Sequence, residues 1–256
     1  QELEPALPLV RATTGLVLDP YFSASKIEWM TTHGNLPVDD RLAFGTIDSW
    51  IIWNLTSGSA FVTDATNASR TMLFDIQNMC WSKELCELFK VPMSALPTVV
   101  PSSGRCALTA EYAGIPKGIP ISGIAGDQQA ALFGQACFSV GSSKNTYGTG
   151  SFVLMNVGNT CPQPADGMLT TVAWDLGTGS PTYALEGAIF VTGSAIQWLR
   201  DGLQIIQHAH EVGPLAQSVT DSGGVVVVPA FTGLGSPWWD PNARGTIIGI
   251  TRGTTR

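Results

Sequence analysis

Between residues 119 and 134 the chain changes period around a glycine and a carboxylate. Ile119-Pro-Ile-Ser-Gly-Ile124 is an apolar run of strand length, Gly126 punctuates it, and residues 128–134 continue at helical spacing. A strand that feeds straight into a helix is a unit of α/β sheets. It also sets Asp127 at the carboxyl end of a strand and the amino end of a helix. Open α/β sheets hold ligands there, and the helix dipole favours a negative charge. A plain helix cap is the competing reading of the same residue.

The flanking segments set the organisation. Residues 1–20 are Pro-rich and aperiodic, 26–30 read as a short helix before Gly34, and 49–55 as an apolar helix capped by Ser49 and stopped by Gly58. Residues 61–70 are polar and read as a loop, while 81–89 return to helical spacing. Further on, strands are expected at 145–157, interrupted by a tight Gly148-Thr149-Gly150 turn, and at 169–174 and 183–191. An amphipathic helix at 194–206, a buried strand at 225–228 and a last strand at 246–250 follow. The first half is helix and loop and the second opens with consecutive strands. A domain boundary is therefore expected between residues 134 and 144, giving domains 1–138 and 139–256.

Composition narrows the function. Charged residues are 13% of the chain, about half the usual share of roughly 25%, while 44% apolar residues suffice for a sizeable core. With a net charge of −7 and no Lys/Arg cluster, nucleic acid is not an expected partner. No apolar run reaches the ~18 residues of a membrane span, and Gln1-Glu-Leu-Glu-Pro resembles no signal peptide. The five cysteines follow no metal or disulfide spacing and read as free, buried thiols of a reducing cytoplasm. His208-x-His210-Glu211 lacks a third metal ligand, and Asn54-Leu-Thr56 and Asn67-Ala-Ser69 carry weight only in a secreted chain. Trp238-Trp239, in a Gly/Pro-rich loop, reads as an aromatic anchor ahead of a sugar-stacking platform.

Two further features carry chemistry. Gly148-Thr149-Gly150, between Tyr147 and Phe152, can bring backbone N–H groups and a threonine hydroxyl to a phosphate, or it can be an ordinary hairpin turn. Gly193 and Gln197 lie four apart on one face at a helix start. The glycine leaves room for a nucleotide, or the pair simply initiates the helix.

In order along the chain come Thr14-Gly-Leu-Val-Leu-Asp-Pro-Tyr21-Phe-Ser23, Phe44-Gly-Thr-Ile-Asp-Ser-Trp50 and Thr63-Asp-Ala-Thr-Asn-Ala-Ser-Arg-Thr-Met-Leu-Phe74. Gly123-Ile-Ala-Gly-Asp127-Gln128-Gln-Ala-Ala-Leu-Phe-Gly134, Lys144-Asn-Thr-Tyr-Gly-Thr-Gly150, Tyr183-Ala-Leu-Glu-Gly187 and Val228-Pro-Ala-Phe-Thr-Gly-Leu-Gly235 follow. Together they resemble the glycerol kinases of the FGGY carbohydrate-kinase family. Residues 21–33, with Ser23, Lys26 and Trp29, are similar to that family's N-terminal-domain signature.

The resemblance implies an α/β, actin/hexokinase-like (ribonuclease H-like) two-domain fold, with both domains incomplete here. Residues 1–138 would be the later part of the N-terminal, glycerol-side domain, and 139–256 the earlier part of the C-terminal, nucleotide-side domain. It implies ATP-dependent phosphorylation of glycerol to sn-glycerol 3-phosphate, with Mg²⁺ brought by ATP near Asp127 and no dedicated metal ligands. Asp127 would accept the hydroxyl proton. Tyr21 and Gln128 would hold glycerol hydroxyls, and Phe152 would cover the carbon chain. Thr149 with Gly148 and Gly150 would meet the phosphates, and Gly193 and Gln197 would lie along the nucleotide. A cytoplasmic homo-oligomer, dimer or tetramer, is implied for the full-length enzyme. The family's Asp-x-Gly-Thr-Thr phosphate loop, its Arg-Glu pair and Trp for glycerol, and its later Asp-Gly-Gly segment do not occur in these 256 residues. The chain thus reads as roughly the middle half of such an enzyme. A kinase for another polyol or sugar, and a truncated non-catalytic remnant, are the alternative readings.

Overall fold

The computed structural model describes residues 3–34, 36–163 and 166–256. The chain divides into two compact units, one of Gln1–Lys144 with Leu154–Glu186 and one of Asn145–Val153 with Gly187–Arg256.

In the first unit, the Pro-rich start is a helix after all, Leu7–Thr14, with a proline in its opening turn. Proline is welcome there because the first N–H groups have no intrahelical partner. Gly15 (φ 72) ends it, and a Cβ at that position would lie 2.4 Å from the Thr170 carbonyl oxygen. The next helix, Ser23–His33, is longer than expected. The Lys26 ammonium donates back to the carbonyls of Pro20, Tyr21 and Phe22, which ties down the chain that carries Tyr21. The apolar helix is Ile47–Leu55. Ser49 is buried inside it and does not cap it, while Gly58 (φ 82) closes the far end by donating to the Trp53 carbonyl.

The stretch expected as a loop at 61–70 is ordered instead. Strand Val62–Asp64 pairs in parallel with Thr98–Val100, and a one-turn helix, Ala65–Ala68, follows with Asp64 as its side-chain cap. Its polar side chains bond to one another, so a polar sequence is buried. Trp81 lies in a short strand, Cys80–Trp81, antiparallel to Phe74–Asp75, and the helix after it is only Lys83–Leu88. The expected strand before Asp127 is Pro120–Gly123, paired antiparallel with Ser103–Leu108, and the helix is Asp127–Gly134.

A four-stranded sheet has the order Ser143–Tyr147, Ser151–Gly158, Thr182–Ile189, Leu169–Trp174. The last two strands pair antiparallel, Glu186 opposite Leu169. Leu169–Trp174 is buried along its whole length. Val172 and Tyr183 pack with Ala65, Ala68, Phe74 and Ile76 into one cluster of the first unit's core.

In the second unit the amphipathic helix is Gly193–Asp201, shorter than expected. Val226–Val228 pairs antiparallel with Thr246–Ile248. The run of valines pointed to a buried strand, yet these residues are 50%, 46% and 39% exposed, because a two-stranded ribbon has only one neighbour to cover it. Trp239 packs edge-on against Phe190, while Trp238 is exposed. The thiols also differ from expectation. Cys86 and Cys137 are buried, Cys106 and Cys161 half-buried and Cys80 exposed, all of them free. Among the described residues no helix is long and apolar enough to cross a membrane.

Candidate active site

Asp127 is the first residue of its helix, and Gly126 occupies the capping position without a side-chain cap. The carboxylate is therefore not consumed as a cap, and it is exposed. The turn that carries it is fixed from below. Gly126 N–H donates to Thr66 Oγ1 at 2.8 Å, and the Thr66 hydroxyl lies 2.8 Å from both carboxylate oxygens of Asp64. Asp64 is fully buried and also accepts from Asn67 N at 3.0 Å, Asn67 Nδ2 at 2.8 Å and Ser102 Oγ at 2.6 Å. A buried carboxylate needs such donors, and this one converts them into a rigid floor under residues 126 and 127.

Gln128 Nε2 lies 3.3 Å from Asp127 Oδ2, and Gln128 Oε1 accepts from Lys144 Nζ. Lys144 is only 2% exposed. Burial lowers its pKa, and Glu186 and Asp127 oppose that shift. Tyr21 completes this side. Burial raises its hydroxyl above the ordinary tyrosine value against the pull of the Arg70 charge, while Glu186 and Asp127 add to the rise. Arg70 is held by Glu186 and lies over the Phe22 ring, 5.4 Å from its centroid. Tyr21, Asp127 and Gln128 thus share one electrostatic neighbourhood in the first unit.

The second unit holds Gly148, Thr149, Gly150, Phe152, Gly193 and Gln197. The turn is joined to the helix start. Gly193 N–H donates to Gly148 O at 2.9 Å, and Thr192 and Ser194 N–H donate to Thr149 O at 2.9 and 3.1 Å. A Cβ on Gly193 would sit 2.5 Å from Gly148 O, so the room this glycine leaves is filled by the turn itself. Gln197 is exposed one turn further along the helix, and Phe152 follows the turn on strand Ser151–Gly158. His208 and His210 stack on each other, ring centroids 5.3 Å apart. Among the described residues no group of three or more His, Cys, Asp or Glu could hold a metal ion.

Sequence reasoning singled out neither Arg70, Glu186 nor Lys144. The signal was there: each is an isolated charge inside a stretch that resembled the family, in a chain with few charges.

The N-terminal domain of the FGGY family of carbohydrate kinases matches residues 3–134, and the C-terminal domain of the same family matches residues 143–256. The chain belongs to the FGGY family of carbohydrate kinases. This FGGY chain is 55% identical over 252 residues to a glycerol kinase of Saccharolobus islandicus, which covers 97% of the chain and 50% of that protein. It is 54% identical over 253 residues to a glycerol kinase of Dechloromonas aromatica, with the same coverage. Glycerol kinase of Plasmodium falciparum, solved with ADP, superposes with a TM-score of 0.85 at 36% identity, over 99% of this chain and 51% of that one. A xylulose kinase from Brucella ovis, at 20% identity and a TM-score of 0.81 over 99% of this chain and 52% of that one, shares the fold. The FGGY chain therefore has the two-domain, actin/hexokinase-like kinase fold. It spans about half the length of the curated relatives it matches.

Proposed function

We propose that this chain carries the glycerol- and nucleotide-contacting residues of a glycerol kinase, which moves the γ-phosphoryl group of ATP to a terminal hydroxyl of glycerol and yields sn-glycerol 3-phosphate. The observation that carries this reading is Asp127, an exposed carboxylate at the first position of its helix, on a turn anchored through Thr66 to the buried Asp64. An aspartate is far too weak a base to deprotonate an alcohol outright. In a loose phosphoryl-transfer transition state the proton leaves late, so Asp127 first orients the hydroxyl through a hydrogen bond and then takes its proton. Gln128 and Tyr21 hold hydroxyls of the same substrate, and a buried hydroxyl left without a partner is worth about 1–3 kcal/mol against binding. Phe152 covers the carbon chain. The Gly148–Gly150 turn with Thr149 meets the phosphates, and Gly193 and Gln197 lie along the nucleotide.

Mg²⁺ keeps much of its water and is commonly held by one or two carboxylates together with phosphate oxygens. The exposed carboxylate of Asp127 fits such a donor set. When bound, the ion neutralises charge on the transferring phosphates.

The test is ATP-dependent phosphorylation of glycerol by the complete gene product that carries these 256 residues, beside its Asp127→Asn variant. The expected result is turnover that falls by at least about a hundredfold on substitution. Turnover of another polyol or sugar, with none of glycerol, would reassign the acceptor. An Asp127→Asn variant as active as the parent would remove Asp127 from the reaction.

A further inference from the structure

The amide of Gln128 has an oxygen that accepts and a nitrogen that donates, and only one way round presents a donor to Asp127 and to a substrate beside it. Lys144 decides which. Its buried ammonium donates to Gln128 Oε1. An ammonium has three donors and no acceptor, so the reversed amide would set donor against donor away from water. With Oε1 engaged, Nε2 turns toward Asp127, 3.3 Å from Oδ2. The neighbouring carboxylates of Glu186 and Asp127 support the lysine charge against its burial.

This arrangement restricts what the site recognises. Asp127 offers only acceptors and the outward edge of Gln128 only donors. A group that satisfies both through a single atom must donate and accept at once. A hydroxyl does so. A carbonyl oxygen or a carboxylate cannot donate to Asp127, and an ammonium cannot accept from Gln128.

We propose that Lys144 is a positioning residue which locks the Gln128 amide as a donor and so makes the Asp127–Gln128 pair selective for an alcohol acceptor. The proposal deepens the glycerol kinase reading and rests on it for the identity of the alcohol. Lys144 acts through Gln128, whose Oε1 it engages.

A double-mutant cycle on the complete gene product tests it. Lys144→Met and Gln128→Ala should each raise the glycerol KM about tenfold, the equivalent of one hydrogen bond, with the ATP KM within about twofold of the parent. If the lysine acts through the amide, the double variant is no worse than Gln128→Ala. Effects that multiply to about a hundredfold overturn the proposal. Should Lys144→Met fail to fold, Gln128→Glu decides, because it pairs with Lys144 but offers an acceptor where the amide donated. Its glycerol KM should exceed that of Gln128→Ala, and an equal or lower value overturns the proposal. Independently of turnover, the Gln128 side-chain N–H resonances should move to the positions of a freely rotating amide in Lys144→Met. Resonances unchanged from the parent overturn the lock. Absence of glycerol turnover in the parent with that spectral shift present would instead fault the glycerol reading and leave the lock standing.

Discussion

Arg70 donates from Nη2 to Oε1 of Glu186 at 2.9 Å, and its Nη1 lies 2.9 Å from Oε2, although 116 positions separate the two residues. Glu186 is 1% exposed. The same guanidinium covers the ring of Phe22, the neighbour of Tyr21. The ion pair therefore fastens the corner that carries Tyr21 to strand Thr182–Ile189.

Glu186→Ala leaves that guanidinium without its countercharge. Breaking a buried pair from one side destabilises by roughly 3–5 kcal/mol. Arg70 retains some access to water, so the lower end, about 3 kcal/mol, is expected in equilibrium urea unfolding. The apolar double variant Arg70→Met with Glu186→Leu should recover most of the loss. A single variant that loses less than about 1 kcal/mol would show that the pair is not holding the fold.

Asp64→Asn should loosen the floor beneath Asp127. Asparagine keeps one acceptor oxygen and turns an NH₂ toward Thr66, Asn67 or Ser102, all of which donate to the carboxylate. A loss of about 2–3 kcal/mol is expected, with kcat for glycerol phosphorylation down about tenfold because Gly126 hangs on Thr66. Thermal unfolding and steady-state kinetics measure the two effects. Unaltered kcat beside lowered stability would separate the floor from the chemistry.

Gly193→Ala forces a methyl group to within 2.5 Å of Gly148 O, a backbone atom that cannot rotate away. The turn and the helix start must part, at about 1–3 kcal/mol. The ATP KM should rise about tenfold with the glycerol KM little changed. Equal loss for both substrates would place this glycine outside nucleotide binding.

The Tyr183 hydroxyl donates to the Ile76 carbonyl at 2.8 Å, and burial pushes its pKa up to about 12. The folded state holds the proton more tightly than the unfolded chain, whose tyrosines titrate near ~10. This contribution is fully present below about pH 10 and is lost as pH rises from there toward about 12. Urea midpoints across that range should fall for the parent and fall less steeply for Tyr183→Phe. Parallel slopes would assign the alkaline loss to other groups.

What could be read in advance follows from where the information lies. The strand before Asp127 and the helix after it were legible because a glycine separates two short-range patterns, one apolar and one helical. The helix Ile47–Leu55 announced itself by its apolar run. The helix Leu7–Thr14 did not, because a proline in a first turn looks like a breaker when the helix is not yet known. Residues 62–68 were hidden for a different reason: Asp64, Thr66 and Asn67 satisfy each other, so their polarity marks burial and not exposure. Asp127, Gln128 and Tyr21 were reachable through motif resemblance. Arg70, Glu186 and Lys144 stood out locally only as isolated charges, and what each one holds is set by partners distant in the chain.

That distance also has a clock attached. Ser69 meets Thr171 across 102 positions, Ile76 meets Tyr183 across 107, and Arg70 meets Glu186 across 116. At the usual ~5–20 residues per second of synthesis, the segment around Phe74 and Ile76 emerges roughly 5–20 s before the strands that cover it. During that interval its apolar side chains have no native cover from those strands. A nascent chain paused between residues 76 and 169 is therefore the form that chaperones should hold most strongly, and rare codons in that interval would lengthen the wait.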